Sequence, residues 1–135
     1  YTLSDMVSGK IFTDAVAEEI REVDVHYQRI ETGSSHDFLS EALYRKVPRY
    51  YVPFRCLYSK NIDNLMMAGR CFSCSHVGLG GPRVMRTCGQ MGIAVGYAAS
   101  LCKKYNTSPR SIYTNHLHEL KDLIVGTDTN NKTTD

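Results

Sequence analysis

The spacing of apolar residues changes along the chain and predicts several short helices and strands. Between Phe12 and Ile20 the apolar side chains recur at helical spacing, which predicts a helix over residues 13–21. Apolar and polar side chains alternate over residues 23–27 and predict a strand, whereas residues 38–45 predict one or two helical turns. We therefore expect the first third of the chain to mix helix and strand.

Two apolar runs near the middle of the chain predict a small sheet. Residues 49–58 are rich in aromatic and β-branched side chains, but Pro53 has no N–H to donate, so this strand is expected at an edge or with a bulge. Residues 64–68 follow a turn and predict the neighbouring strand. A Gly/Ala-rich helix predicted over residues 87–105 packs on this sheet, which gives an α/β or α+β fold.

The predicted helix of residues 87–105 contains three glycines, Gly89, Gly92 and Gly96. A glycine in a helix costs about 1 kcal/mol relative to alanine, so three of them predict a close neighbour. For Gly92 and Gly96 we expect that neighbour to be the sheet. For Gly89, at the amino end of the helix, a bound cofactor is an equal alternative.

The end of the chain is predicted to be helical and then unstructured. Residues 109–124 repeat apolar side chains at helical spacing and predict a last amphipathic helix. Two stretches lack such periodicity. The Gly/Ser-containing residues 33–37 predict a loop, and the polar residues 126–135 predict a disordered tail.

Composition narrows the class of protein. The chain has 135 residues, of which 42% are hydrophobic and 22% charged, with a formal net charge of +2. Its Lys and Arg residues are scattered, which argues against a nucleic-acid partner. Its apolar runs are too short to cross a membrane. The composition predicts a soluble globular domain and indicates no cellular compartment.

The five cysteines are odd in number and lie among apolar or small residues, which favours buried free thiols over a disulfide framework. Cys71 and Cys74 have Cys-x-x-Cys spacing, so a redox pair or a metal site is the alternative to buried structural thiols. A metal site would need further ligands, and Cys88 with His76 is the nearest supply. We therefore predict structural thiols and no metal.

The order of elements around residues 64–105 predicts a site for an anionic cofactor. A predicted strand runs into the Gly-rich residues 69–82, and these lead into a predicted helix. Free backbone N–H groups and the positive end of the helix dipole converge at such a place. His76 and Arg55 are candidates for chemistry beside it, because an imidazole titrates near neutrality and a guanidinium holds an anion.

The same stretch resembles a known family. Asn64-Leu-Met-Met-Ala-Gly-Arg-Cys71, Ser73-x-x-His76 and Arg83-Val-Met-x-Thr-Cys88 are similar to the closing segment of the FAD-dependent oxidoreductases. Further blocks in matching order extend the resemblance over residues 1–105. One departure is Arg86, where relatives usually carry Pro. Some chains with this signature are labelled xanthan lyases.

The resemblance implies a C-terminal piece of an FAD-dependent oxidoreductase. The chain lacks the Gly-x-Gly-x-x-Gly turn that binds the ADP half of FAD, so an N-terminal FAD-binding part of a longer parent chain is the expected partner. Residues 1–56 would then be the substrate-side segment and residues 57–125 the end of the FAD-binding domain. A small or carbohydrate-like molecule would be the substrate, and the fragment alone would be inactive.

The resemblance also implies roles for individual residues. Gly69 and Arg70 would approach the ribityl chain and the pyrophosphate. The backbone amides of Met85, Arg86 and Thr87 would face the N1/O2 edge of the flavin. The predicted cofactor-binding set is Gly69, Arg70, Arg83, Met85, Arg86, Thr87 and Gly89, and the predicted catalytic residues are His76 and Arg55, with the pair Asp24 and His26 as a weaker candidate.

Two other classes of function stay open on the sequence. A polysaccharide lyase of the xanthan type needs a Tyr or His base and a group that neutralises a uronate carboxylate, and the nine tyrosines and several arginines supply both types. A non-catalytic folded module is the other alternative. Exposed sheet edges are compatible with self-association.

Overall fold

The computed structural model of the chain describes residues 1–29 and 39–130. It contains four helices and four strands in these ranges, arranged as two separate antiparallel strand pairs with helices around them. The mixture confirms the expected α/β or α+β class. In chain order the elements are α1 (Leu3–Val7), β1 (Ala15–Glu19), β2 (Val23–Arg29), β3 (Leu39–Arg45), β4 (Tyr50–Pro53), α2 (Met85–Tyr105), α3 (Pro109–Asn115) and α4 (Leu117–Asn130).

The predicted helix over residues 13–21 is wrong, because this segment forms strand β1 and pairs with β4. Val16, Ala17 and Glu19 are buried, whereas Ile20 is 61% exposed, so the helical apolar spacing does not describe the buried face. The pairing register shifts between Ala15 and Ala17, opposite the end of β4 that carries Pro53. The expected irregularity near this proline is confirmed.

The second pair of strands joins β2 to β3. The predicted strand at residues 23–27 is confirmed and extends to Arg29, whereas the helical turns predicted for residues 38–45 are wrong. Residues 39–45 instead pair antiparallel with the whole of β2, and long-range pairing overrides their weak local preference. The predicted loop at residues 33–37 lies outside the described residues.

The predicted strand at residues 64–68 is also wrong. This segment makes one isolated bridge, from Met66 to Tyr58, and Leu65 is 40% exposed. Strand β4 ends at Pro53 and a 3-10 turn follows at Phe54–Cys56, so the pairing of residues 49–58 with residues 64–68 is limited to this bridge. The segment nevertheless follows the core closely, since the Met67 amide donates to the Leu57 carbonyl at 2.8 Å.

Helix α2 confirms the helix predicted over residues 87–105 and begins two residues earlier. One face buries Thr87, Met91, Ala94, Ala98 and Leu101, which are spaced three or four residues apart as a helix requires. This face covers β1 and contacts α4. The shared core contains Val16, Val52, Phe54, Leu57, Met91, Ala94, Ala98, Leu101, Ile112 and Leu120.

The single helix predicted over residues 109–124 is divided in two at His116. Helix α3 starts at Pro109 with Ser108 as its cap, whose side chain accepts the Ser111 amide. Helix α4 continues to Asn130, beyond the end at residue 124 that the sequence predicts. The rest of the predicted tail lies outside the described residues.

Candidate functional site

Helix α2 begins without a side-chain cap. Val84 is the N-cap residue and has no side chain able to accept the first-turn N–H groups. Met85 is 91% exposed and the Arg86 side chain is 59% exposed, so solvent reaches this end of the helix. The start of α2 therefore offers backbone donors and a positive dipole end to an anionic or electron-rich group.

Thr87 anchors this helix start to strand β1. Its hydroxyl donates to Glu19 Oε2 at 2.6 Å, and Glu19 Oε1 accepts from the amides of Ile20 and Arg21 at 2.8 and 3.0 Å. Burial disfavours the charged carboxylate, but these hydrogen bonds outweigh it and hold the pKa of Glu19 below its usual range. The Thr87 side chain is thus committed to structure, which leaves its backbone to the predicted cofactor role.

Gly69 and Arg70 lie beside the start of α2, although the strand predicted to carry them does not form. They open a short 3-10 turn, Gly69–Cys71, in which Gly69 has a positive φ of 63°. A Cβ added at Gly69 would lie 3.7 Å from Cys88 Sγ in the first turn of α2. The Gly69–Cys71 turn therefore lies against the first turn of α2, and the cofactor roles of Gly69 and Arg70 stay a prediction.

The glycines of α2 do not face the sheet. A Cβ added at Gly89, Gly92 or Gly96 meets no atom within 4 Å, so the packing predicted for Gly92 and Gly96 is wrong in this chain. The exposed face also carries Ile93, which is 45% exposed. Gly89 lies next to the uncapped first turn, where the prediction of cofactor approach stands.

The glycines of the preceding loop make the close contacts instead. A Cβ at Gly80 would lie 2.8 Å from Val25 Cγ2 and 3.0 Å from the Asp24 carbonyl oxygen, and one at Gly81 would overlap the Tyr50 hydroxyl. These positions allow the loop to lie directly on β2, where the Asp24 amide donates to the Gly80 carbonyl. Sequence reasoning assigned this loop to a cofactor, and its glycines serve packing within the chain.

Two of the predicted site residues, His76 and Arg83, line one cavity. Its volume is about 140 Å³, and Asp24 and His26 of β2 form the opposite wall. Asp24 Oδ1 lies 2.8 Å from His26 Nε2, so the two side chains are in contact, and their role in the site stays a prediction. Arg83 Nη2 lies 3.2 Å from Asp24 Oδ2, so Arg83 is held by β2 and does not cap α2.

Arg55 lies in a different environment. Its Nε and Nη2 donate to the two carboxylate oxygens of Asp14 at 2.9 and 2.6 Å, and its amide donates to Asp14 as well. Burial raises the pKa of Asp14, but the bonds to Arg55 outweigh it, and the net result is a lowered pKa. The guanidinium also lies 5.2 Å from the centre of the Tyr113 ring. Asp14 belongs to one of the blocks that resemble the family, but sequence reasoning gave it no role in the site.

A known family matches this chain over most of its length. Residues 1–121 fit the family model described as FAD dependent oxidoreductase. The chain belongs to the FAD dependent oxidoreductase family. No curated protein and no solved structure matches it, so the assignment rests on the family model.

Members of the FAD dependent oxidoreductase family bind FAD, and the described residues can be compared with what that cofactor needs. The uncapped start of α2 supplies donors for a flavin ring edge. A cavity of about 480 Å³ lies between Asp63 and Pro109, but none of the predicted cofactor residues lines it. The start of α2 thus offers solvent-exposed backbone donors of the kind that an anionic or electron-rich group accepts.

The structure also tests the predictions on cysteine burial, metal ligands and membrane-spanning helices for this member of the FAD dependent oxidoreductase family. The five cysteines are free thiols, but Cys71 is exposed and only Cys56 is fully buried, which corrects the expected burial. The described residues contain no group of three or more His, Cys, Asp or Glu side chains able to hold a metal ion. Within the same residues no helix has both the length and the apolarity to span a bilayer.

Proposed function

We propose that this chain supplies the closing part of a flavin site in an FAD-dependent oxidoreductase, with the ADP-binding turn provided by another part of a longer parent protein. The observation that carries the proposal is the uncapped start of α2 beside the Gly69–Cys71 turn, within a chain that matches the family over residues 1–121. The sequence itself holds no Gly-x-Gly-x-x-Gly turn.

The chain's own groups then perform two tasks. The amides of Met85, Arg86 and Thr87 would face the N1/O2 edge of the flavin as hydrogen-bond donors, and the dipole of α2 would stabilise negative charge there. Arg86 adds a cation at the same end, held near Glu18 and Glu19 at 3.7 and 3.9 Å. When bound, FAD supplies the hydride acceptor, and the protein supplies position and charge.

The exposed glycines of α2 fit the same proposal. Gly89, Gly92 and Gly96 leave one side of the helix without side chains, although alanine would favour the helix by about 1 kcal/mol at each position. A backbone or a flat ring can approach such a surface closely. We propose that the FAD-binding part of the parent chain covers it, with the adjoining flavin near Gly89.

The test is a titration with FAD, followed by absorbance and by quenching of flavin fluorescence, on this chain and on the longer parent protein. We expect flavin bands in the parent and weak or no binding in the short chain. Absence of flavin binding in both samples with FAD in excess would contradict the proposal.

A pair of variants tests the role of the helix start directly. Val84→Ser introduces a capping hydroxyl that competes for the first-turn amides, whereas Val84→Ala makes a similar truncation without a cap. Val84→Ser should be about 1 kcal/mol more stable than Val84→Ala and should bind FAD several-fold more weakly. Equal FAD affinity of the two variants, with the stability difference present, would show that the flavin does not use these amides.

The alternatives give different results in the same samples. A polysaccharide lyase would produce an unsaturated uronate, detected by ultraviolet absorbance when the sample is incubated with xanthan. A non-catalytic module would neither bind flavin nor turn over substrate. The contacts of the described residues favour neither of these over the oxidoreductase.

A further inference from the structure

The cavity between β2 and the turn Val77–Leu79 is a compact cluster of charged groups. Asp24, His26, His76 and Arg83 line it, with Val25 and Leu79 as apolar walls. Its volume of about 140 Å³ is well below the roughly 300–1,000 Å³ of complete small-molecule sites. It therefore fits one functional group of a ligand, far smaller than a flavin.

Asp24 contacts two other side chains of this cluster, His26 and Arg83. Its side chain is only 9% exposed, and its backbone amide is held by the Gly80 carbonyl at 3.1 Å. Its buried Oδ1 lies 2.8 Å from His26 Nε2, but no hydrogen bond to this oxygen forms within the described part of the chain.

Asp24 holds the Arg83 side chain in place, but only some of its hydrogen-bond donors have partners in the described residues. Nη2 of Arg83 contacts Asp24 twice, at the carboxylate oxygen Oδ2 and at the backbone carbonyl oxygen, each at 3.2 Å. Its Nε and Nη1 donors have no partner among the described residues, and a third of the side chain is exposed. A guanidinium anchored at one nitrogen loses little freedom when its remaining donors bind a ligand.

The charges of the cluster favour a monoanion. The Asp24 carboxylate contacts two guanidinium groups, that of Arg83 in the cavity wall at 3.2 Å and that of the half-exposed Arg21 outside it at 3.7 Å, so the three side chains together carry one net positive charge. A doubly charged phosphate would bring its second charge against Asp24, whereas a carboxylate matches both the charge and the small volume.

We propose that this cavity binds the carboxylate of a small organic acid, with the unpaired N–H groups of Arg83 donating to its oxygens and the His76 imidazole beside it. That this acid is the molecule oxidised or reduced beside the flavin rests on the function proposed above. Binding of the carboxylate itself does not.

The test is an NMR titration of the ¹⁵N-labelled chain with sodium acetate at constant ionic strength, with acetamide as the neutral molecule of the same shape. We expect saturable shifts at the Arg83 Nε–H and at the amides of Asp24 and Gly80, and none with acetamide. Arg83→Gln should weaken acetate binding about tenfold or more, and Arg83→Lys should retain part of it because the charge remains.

Arg110→Gln is the matched control, because the Arg110 guanidinium also donates to a backbone carbonyl, that of Lys60, on another surface. It should bind acetate like the wild type. Three results would overturn the proposal: no saturable shift with acetate, equal shifts with acetate and acetamide, or tighter binding of inorganic phosphate than of acetate. The wild-type comparison of acetate with acetamide decides the matter even if Arg83→Gln fails to fold.

The titration contains no FAD, so its outcome is separate from that of the flavin experiment. Carboxylate binding without flavin binding would leave an organic-acid site on a protein of other function. Flavin binding without carboxylate binding would leave the oxidoreductase proposal intact and remove this cavity from it.

Discussion

At the scale of single residues, the structure uses its buried polar groups in two ways. The carboxylate of Asp14 is fully paired by Arg55, and that of Glu19 by Thr87 and two amides. The hydroxyl of Tyr50 is buried with no hydrogen-bond partner among the described residues. A paired group stabilises the fold, whereas an unpaired one costs its desolvation.

Tyr50→Phe should therefore stabilise the protein. The ring is fully buried, burial raises the pKa of the hydroxyl, and removing that hydroxyl relieves an unpaired polar atom next to Gly81. We expect the free energy of unfolding to rise by about 1 kcal/mol, measured by urea denaturation. Tyr51→Phe, on the half-buried neighbouring side chain, is the control and should change it little. A clear loss of stability in Tyr50→Phe would show that the hydroxyl has a partner after all.

Asp14→Asn should destabilise the protein in a pH-dependent way. At pH 7 the loss should be about 1–3 kcal/mol, moderated because the Arg55 side chain is 45% exposed and can be hydrated. Despite the opposing effect of burial, Arg55 holds the pKa of Asp14 below its ordinary value of 3.8. The stability from the ionised carboxylate is thus present above that value and is lost as the pH falls through the lower folded value.

The measurement for Asp14 is urea denaturation of both proteins between pH 7 and pH 2. The advantage of the wild type should shrink below about pH 4. An advantage that stays constant over the whole range would mean that the charge of Asp14 contributes nothing to stability.

At the scale of elements, glycine marks two opposite situations. In the loop before α2, Gly80 and Gly81 have neighbours so close that a side chain would overlap them. On α2, Gly92 and Gly96 face open space. The sequence shows the same residue type in both places, and the contacts separate loop packing from an uncovered helix face.

Two alanine substitutions should therefore have opposite effects on stability. Gly81→Ala forces a methyl group against the buried Tyr50 ring and should cost about 1–3 kcal/mol. Gly92→Ala adds a methyl group in open space within a helix and should stabilise by about 0.5–1 kcal/mol. Thermal unfolding followed by circular dichroism measures both. A destabilised Gly92→Ala would mean that this face is already covered, for instance by a second copy of the chain.

At the scale of the whole molecule, the two strand pairs differ in how extensively they pack against the rest of the protein. Strands β1 and β4 lie against the core under α2, with Val16, Val52 and Phe54 buried. In the β2–β3 pair, Val23 and Asp24 are buried, but Leu43 and Tyr44 of β3 are 50% and 58% exposed. A two-stranded ribbon has little stability of its own, so the outer strand depends on few tertiary contacts.

Hydrogen exchange should separate the two pairs. The amides of Leu43 and Arg45 should exchange faster than those of Tyr50 and Val52, because local opening of β3 exposes less apolar surface than opening of β4. Exchange measured by NMR gives the rates residue by residue. Equal protection of the two strands would indicate one cooperative unit, with β3 covered by a contact such as a partner protein.

The sequence by itself determined the elements whose signals are local. Helix α2, the strand at residues 23–27 and the irregularity near Pro53 follow from apolar spacing and from the missing N–H of proline, which act within a few residues. The motifs of residues 64–88 also sufficed for the family, because the order of chemical groups in them is written along the chain.

Tertiary structure alone decided the rest. Residues 15–19 and 39–45 are strands because distant segments offer them hydrogen-bonding edges. Residues 64–68 form only the Met66–Tyr58 bridge, because β4 ends at Pro53 and a 3-10 turn follows it. The Asp14–Arg55 pair and the Asp24–Arg83 cavity join residues far apart in the chain. Local pattern carries no information on such pairings, since their free energy depends on which groups the folded chain brings together.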